Sequence, residues 1–288
     1  MKTVFRRELG VLAHSAFAFI ACACLPLGFA WSIYKVLLTG GVNDIHMIVS
    51  GGVYGFAPVL LLYACHGYGS DRRGGADRLW SMLPVSRVGL ALGRYLAYLV
   101  PVLAGVALCG AEMLALNIAV SMPAVYCLMG LLLMALCGCF VTALGLFLSS
   151  VSRNIPVELL LAAACCALMV FGMDIAKAVA ASPLCLLFLL LVIAAFAILV
   201  GWKAVHSVYG ALIAGLACEL VALLVLRGSA SAQRGFAAAL GRFFCAACRF
   251  DCYAAGILSF ADIAWFVLVT AVLLLPLCLP RGRRAAHE

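Results

Sequence analysis

The chain alternates between long apolar runs and short stretches that carry its charges. Its start, MKTVFRRELGVL, has a different period. Phe5, Leu9 and Leu12 fall on one helical face, while Lys2, Arg6, Arg7 and Glu8 occupy the other. That pattern predicts a helix over residues 1–11 lying in the plane of a headgroup layer. The apolar run from Val11 to Tyr34 follows. It is too long for the core of a signal peptide and ends without a convincing cleavage site, so it reads as a first membrane span.

Further runs follow at span length, ~20 residues each. A second covers Met47 to Tyr68, and a hydrophilic segment, 69–94, separates it from a third that ends near Ile118. After a turn at Ser121–Pro123, a fourth ends near Ser150, and a fifth covers Pro156 to Met173. Residues 184–226 form two more runs, joined by a short polar stretch from Trp202 to Ser207. The segment 227–260 is polar-interrupted and amphipathic, and a last run covers Ala261 to Leu279. The expectation is an all-α polytopic membrane protein of about eight transmembrane helices, folded as one transmembrane domain over 1–288.

Composition excludes the main alternatives. Of 288 residues, 67% are hydrophobic and 10% charged, with a mean hydropathy of +1.21. Soluble domains are nearer half apolar and a quarter charged, and disordered chains are poorer still in apolar residues. The net charge of +8 does not point to nucleic acid, because its basic residues sit in short loops. There they set topology: basic loops stay cytoplasmic. With both termini inside, thirteen of the 19 basic residues fall on inner segments; the other six are Lys35, Lys177, Arg227, Arg234, Arg242 and Arg249. This places 69–94 in the cytosol and 227–260 on the opposite face, its arginines snorkelling to headgroups.

Chemistry is sparse. Most of the 15 cysteines lie inside apolar runs, where they act as small hydrophobes. Cys245, Cys248 and Cys252, at i, i+3 and i+7, fit either a metal or one stripe of a membrane-lying helix; no histidine accompanies them, which favours the stripe. No phosphate-binding loop, H-E-x-x-H helix or nucleophile elbow occurs. No catalytic, cofactor or metal residue is therefore expected, and the chain is not read as an enzyme. Charges inside spans are functional candidates by default. Glu219 falls near mid-bilayer. Glu112, 18 residues beyond Arg94, stands about 27 Å along a helix, near the outer headgroups. Ala135, Cys139 and Ala143, with Gly138, Thr142 and Gly145 nearby, mark a packing face on the fourth span.

The segment from Asp71 to Ala97 reads D-R-R-G-G-A-D-R-L-W-S-M-L-P-V-S-R-V-G-L-A-L-G-R-Y-L-A. It resembles the stretch after the second span in ABC-2 type transporter permeases. Leu144 to Glu158 is similar to that family's end of span four. Phe250 to Ile263 is similar to the R-F-x-x-F-x-x-G-I-x-D-L-x-D pattern before its last span. The branch most resembled is the gliding-motility-like group, including a subset with an extra hairpin, here 184–226. The resemblance runs in order over nearly the whole chain. It departs where the family often has Glu-Glu against Ser70-Asp71 and Gly-Thr against Gly75-Ala76.

The resemblance implies a six-span core plus that hairpin, in the bacterial plasma membrane. It implies the permease subunit of an ATP-binding cassette exporter, with ATP bound and hydrolysed by a separate ATPase and with a second permease subunit, identical or paralogous. Residues 69–94 become a coupling loop, with Asp71, Arg72, Arg73, Arg78, Leu79, Trp80 and Leu83 facing the ATPase. Two alternatives stand beside it: a polytopic membrane enzyme or scaffold without transport, and a proton-coupled exporter using Glu219.

Overall fold

A computed structural model describes residues 2–38, 45–73, 86–120, 124–151, 154–180, 230–250 and 259–278, with single positions between 198 and 253. Among these residues every regular element is helical. The order is α1 (Lys2–Ala13), α2 (Ala16–Leu38), α3 (Ile45–Arg73), α4 (Arg87–Val120), α5 (Ala124–Val151), α6 (Ile155–Ala180), α7 (Ala230–Phe244), a 3₁₀ turn (Ala247–Phe250) and α8 (Phe260–Cys278). Five of these, α2, α4, α5, α6 and α8, contain described stretches long and apolar enough to cross a membrane. They coincide with the first, third, fourth, fifth and last expected spans, and the 29-residue α3 covers the second. The remaining two, in 184–226, fall almost wholly outside the described residues. The multi-pass helical membrane architecture is therefore present, with five helices among the described residues long and apolar enough to cross.

Local chemistry sets the ends. Ser15 closes α1, its amide bonding the Leu12 carbonyl at 2.9 Å, and its own carbonyl accepts the Ala18 amide at the start of α2. The Ser86 hydroxyl accepts the Gly89 amide at 3.2 Å, an N-cap for α4. Asp262 in the first turn of α8 and Glu158 in that of α6 place negative charge at positive helix ends.

The chain divides into two compact units. The first comprises residues 1–166 and 247–278, and the second residues 167–246 and 279–288. In the first, α5 packs on α3, α4 and α8, while α2 packs on α3 and α4, and α1 lies on α4. Of the most apolar window in α5, 67% is buried, against 11% in α8, which makes α5 the central helix. Its small residues bring neighbours close, as expected where lipid offers no hydrophobic gain for association. A Cβ on Gly145 would stand 2.5 Å from Ala64 Cβ, and one on Gly138 would stand 2.7 Å from a Val102 methyl. The expected packing face is thus occupied on two sides. Thr142 donates its hydroxyl to the Gly138 carbonyl at 2.7 Å.

The outward faces carry the apolar surface that a bilayer would cover: Phe19, Leu27 and Trp31 on α2, Leu103 and Leu114 on α4, Val267 and Leu268 on α8. In the second unit, α7 meets the latter part of α6 through glycines. A Cβ on Gly241 would stand 2.5 Å from Ala176 Cβ, and Gly172 faces Cys245.

Candidate functional site

The residues singled out in the sequence are only partly within view. Asp71, Arg72 and Arg73 are the last three residues of α3. Arg78, Leu79, Trp80 and Leu83 lie outside the described residues, as does Glu219. Glu112 is half-buried on α4, and its Oε2 is closed off with no hydrogen-bond partner among the described residues. Among the described residues no three His, Cys, Asp or Glu gather to hold a metal. Cys245 and Cys248 flank the end of α7 and enter the 3₁₀ turn, and Cys252 lies outside the described residues.

Two ion pairs in the first unit, one buried and one part-buried, organise what is visible. One joins α1 to α4: Arg94 Nε donates to Glu8 Oε1 at 3.4 Å, with only 3% and 5% of the two side chains exposed. The guanidinium also lies over the Tyr68 ring, 5.2 Å from its centroid, near the end of α3. Sequence periodicity placed Glu8 on the solvent face of α1. Instead the buried stripe is Val4, Glu8 and Leu12, and Phe5 and Leu9 are half-buried at its edge. The stripe turns because a buried guanidinium needs a carboxylate more than it needs another leucine. Below this pair, Tyr63 and Tyr98 stack at 5.5 Å. Gly67 has no room for a Cβ, which would lie 2.6 Å from the Tyr98 ring. The end of α3 and the start of α4, which bracket residues 74–85, thus meet in one cluster, to which α1 is tied through Arg94.

The second pair was not foreseen. Arg249, in the 3₁₀ turn, donates from Nη1 to Asp262 Oδ1 at 2.7 Å, the side chains 17% and 11% exposed. Its guanidinium lies 4.5 Å from the Trp265 ring centroid, a cation–π contact. Trp265 in turn stacks on Phe140 of α5 at 5.3 Å, and Phe140 meets Phe266 edge-on at 6.0 Å. The expectation for 227–260 was a helix along one face of the membrane. α7 fits an amphipathic helix, but the described residues after Ala246 pack inward. The 3₁₀ turn lies against α3, Phe250 is fully buried, and the Tyr253 hydroxyl sits where a Gly130 side chain would be. The one sequence signal was the quoted family pattern, which opens on Arg and closes on Asp.

Depth can be read along α5. Its 28 residues span about 42 Å, against a hydrocarbon layer of about 30 Å. Gly130 is six residues from its start and Phe140 sixteen, so Tyr253 and Trp265 stand about 9 and 24 Å along it. Wherever the 12 Å or so of overhang is placed, the level of Trp265 remains inside the apolar layer. At the centre of such a layer an uncompensated charge costs about 2.5–3.5 kcal/mol on insertion scales. A direct pair with an aromatic face over the guanidinium offsets much of that cost.

Compared with known proteins, the chain matches no family model, no curated protein and no solved structure.

Proposed function

We propose that this chain is the membrane-spanning permease subunit of an ATP-binding cassette exporter of the ABC-2 type, driven by a separate ATPase polypeptide. The observation that carries the reading is the fixed end of the first unit. There α1 is clamped to the start of α4 by Glu8–Arg94, beside the end of α3. Residues 74–85 connect those two helix ends, within the segment 69–94 whose sequence resembles the coupling loop of such permeases. A loop anchored on both sides by a rigid cluster suits a docking element, since motion imposed on it passes to α3 and α4 as a unit. The helical multi-pass architecture and the missing phosphate-binding loop agree with a partner that supplies ATP hydrolysis. In this reading the loop and both termini are cytoplasmic, and a second permease subunit completes the path.

Trp80 is the expected anchor of the loop, with Arg72, Arg73 and Arg78 around it; buried aromatic and arginine side chains dominate such contacts. Trp80→Ala should weaken association with the ATPase by about 2 kcal/mol, about thirtyfold, while the permease still inserts. Co-purification from membranes expressing both proteins measures it. Equal recovery of the ATPase with the variant, and unchanged stimulation of hydrolysis, would remove the coupling assignment. The partner itself is sought first in the neighbouring reading frames.

A further inference from the structure

We infer that the exposed face of α1 binds the anionic headgroups of phospholipids in its own leaflet, and that the burial of Glu8 suits it to them. The inference does not rest on the transport reading. Glu8 is the one acidic residue of α1, and it is turned in to Arg94 with 4% of its surface exposed. Lys2, Arg6 and Arg7 are all exposed, with Thr3 and Gly10 among them. At 3.6 residues per turn, Arg6 stands about 160° from Glu8 around the helix and Lys2 about 120°. Both therefore point away from the docked stripe of Val4, Glu8 and Leu12. Read by periodicity alone, Glu8 cancels one of the outward cations. In the structure it cancels Arg94, so the exposed charges of α1 itself are all positive.

The level of α1 follows from α2. Trp31 and Tyr34 are exposed at the far end of α2, and the Lys35 ammonium lies 6.0 Å from the Trp31 ring centroid. Exposed Trp, Tyr and Lys together mark a membrane–water interface. A hydrocarbon layer of about 30 Å, counted back from Lys35 at about 1.5 Å per residue, ends at Ser15. Ser15 lies between α1 and α2, so α1 meets the opposite interface. Val11 and Phe17, each about half exposed, add apolar side chains at that level. Cations beside apolar side chains fit a lipid whose headgroup carries net negative charge, which a zwitterionic headgroup lacks. Free phosphate would engage the cations and leave the apolar side chains unused.

The test uses the full-length chain with native cysteines replaced and a fluorophore attached through Thr3→Cys, on the exposed face. The protein is reconstituted in phosphatidylcholine vesicles doped with phosphatidylglycerol or phosphatidylcholine spin-labelled near the headgroup end of one acyl chain. The spin label quenches the fluorophore only where that lipid is a neighbour. Phosphatidylglycerol should quench as if enriched about fivefold or more over phosphatidylcholine, the contribution of a single Lys or Arg at an anionic surface. Salt at about 1 M, with a screening length of about 3 Å, should abolish the preference. Lys2→Gln/Arg6→Gln/Arg7→Gln should abolish it too, with quenching by phosphatidylcholine unchanged because the buried stripe is intact. Arg6→Lys/Arg7→Lys, which keeps every charge, should retain it. Equal quenching by both lipids in the parent overturns the inference, and the basic face is then open to water or to an acidic protein surface. A preference that survives the Gln variant also overturns it, since cations elsewhere then recruit the lipid. Loss of the preference in the Lys variant does so as well, because side-chain shape and not charge is then being read.

Discussion

At Gly145 the gap between α5 and α3 holds a hydrogen and nothing larger. A Cβ there would lie 2.5 Å from Ala64 Cβ, 3.1 Å from the Leu61 carbonyl oxygen and 3.3 Å from the Cys65 amide. All three are short or backbone atoms, so none can swing aside. Gly145→Ala should therefore destabilise the bundle by about 1–3 kcal/mol through overpacking. The same change at Gly10, on the exposed face of α1 with nothing within 4 Å, should stabilise by about 0.5–1 kcal/mol through helix propensity. Thermal unfolding in detergent, followed by a thiol-reactive fluorophore, separates the two. Opposite signs are expected from one chemical substitution. Gly145 was visible in the sequence as part of a small-residue face, but only the structure tells which neighbour each glycine admits.

The helices themselves were legible because lipid imposes a length and a composition on each. The expected first span, Val11 to Tyr34, became α2 at Ala16–Leu38; the shift arises because α1 continues to Ala13 before Ser15 breaks it. What was not legible is how an element turns about its own axis. Periodicity put Glu8 outward because it weighs only neighbours in sequence, and Arg94 is 86 residues away. Arg249 and Asp262 escaped for a similar reason: thirteen residues apart, they share no helical face. The consequence for α1 is testable. Glu8→Ala removes the carboxylate that ties α1 to the buried Arg94 and should loosen α1 by about 3 kcal/mol. Trypsin should then cut after Arg6 and Arg7 much faster than in the parent. Adding Arg94→Leu should restore most of the resistance, because a buried pair replaced by apolar groups costs little.

For the molecule as a whole, the exposed apolar faces of α2, α4, α6 and α8 mark it as a multi-pass membrane protein, and the distribution of basic residues gives an expected orientation to test. Thirteen of the 19 lie on segments expected inside. A single thiol introduced at Asp77, with native cysteines replaced, should resist an impermeant maleimide in intact cells and react once the membrane is opened. Labelling in intact cells would invert the topology. Glu219, outside the described residues, can be tested in the same preparation. If it stands at mid-bilayer, Glu219→Lys should impair insertion by about 2.5–3.5 kcal/mol and Glu219→Gln should not. The yield of membrane-integrated full-length chain measures both.

The contact between Glu8 and Arg94 also sets a clock on synthesis. At about 5–20 residues per second, a ribosome delivers Arg94 about 4–17 s after Glu8. During that interval α2 and α3 have already emerged, while the seat of α1 on α4 does not yet exist. The seat of α1 on α4 can form only after α4 has been made. Maturation of this protein therefore includes a docking step that a helix completes well after its own synthesis.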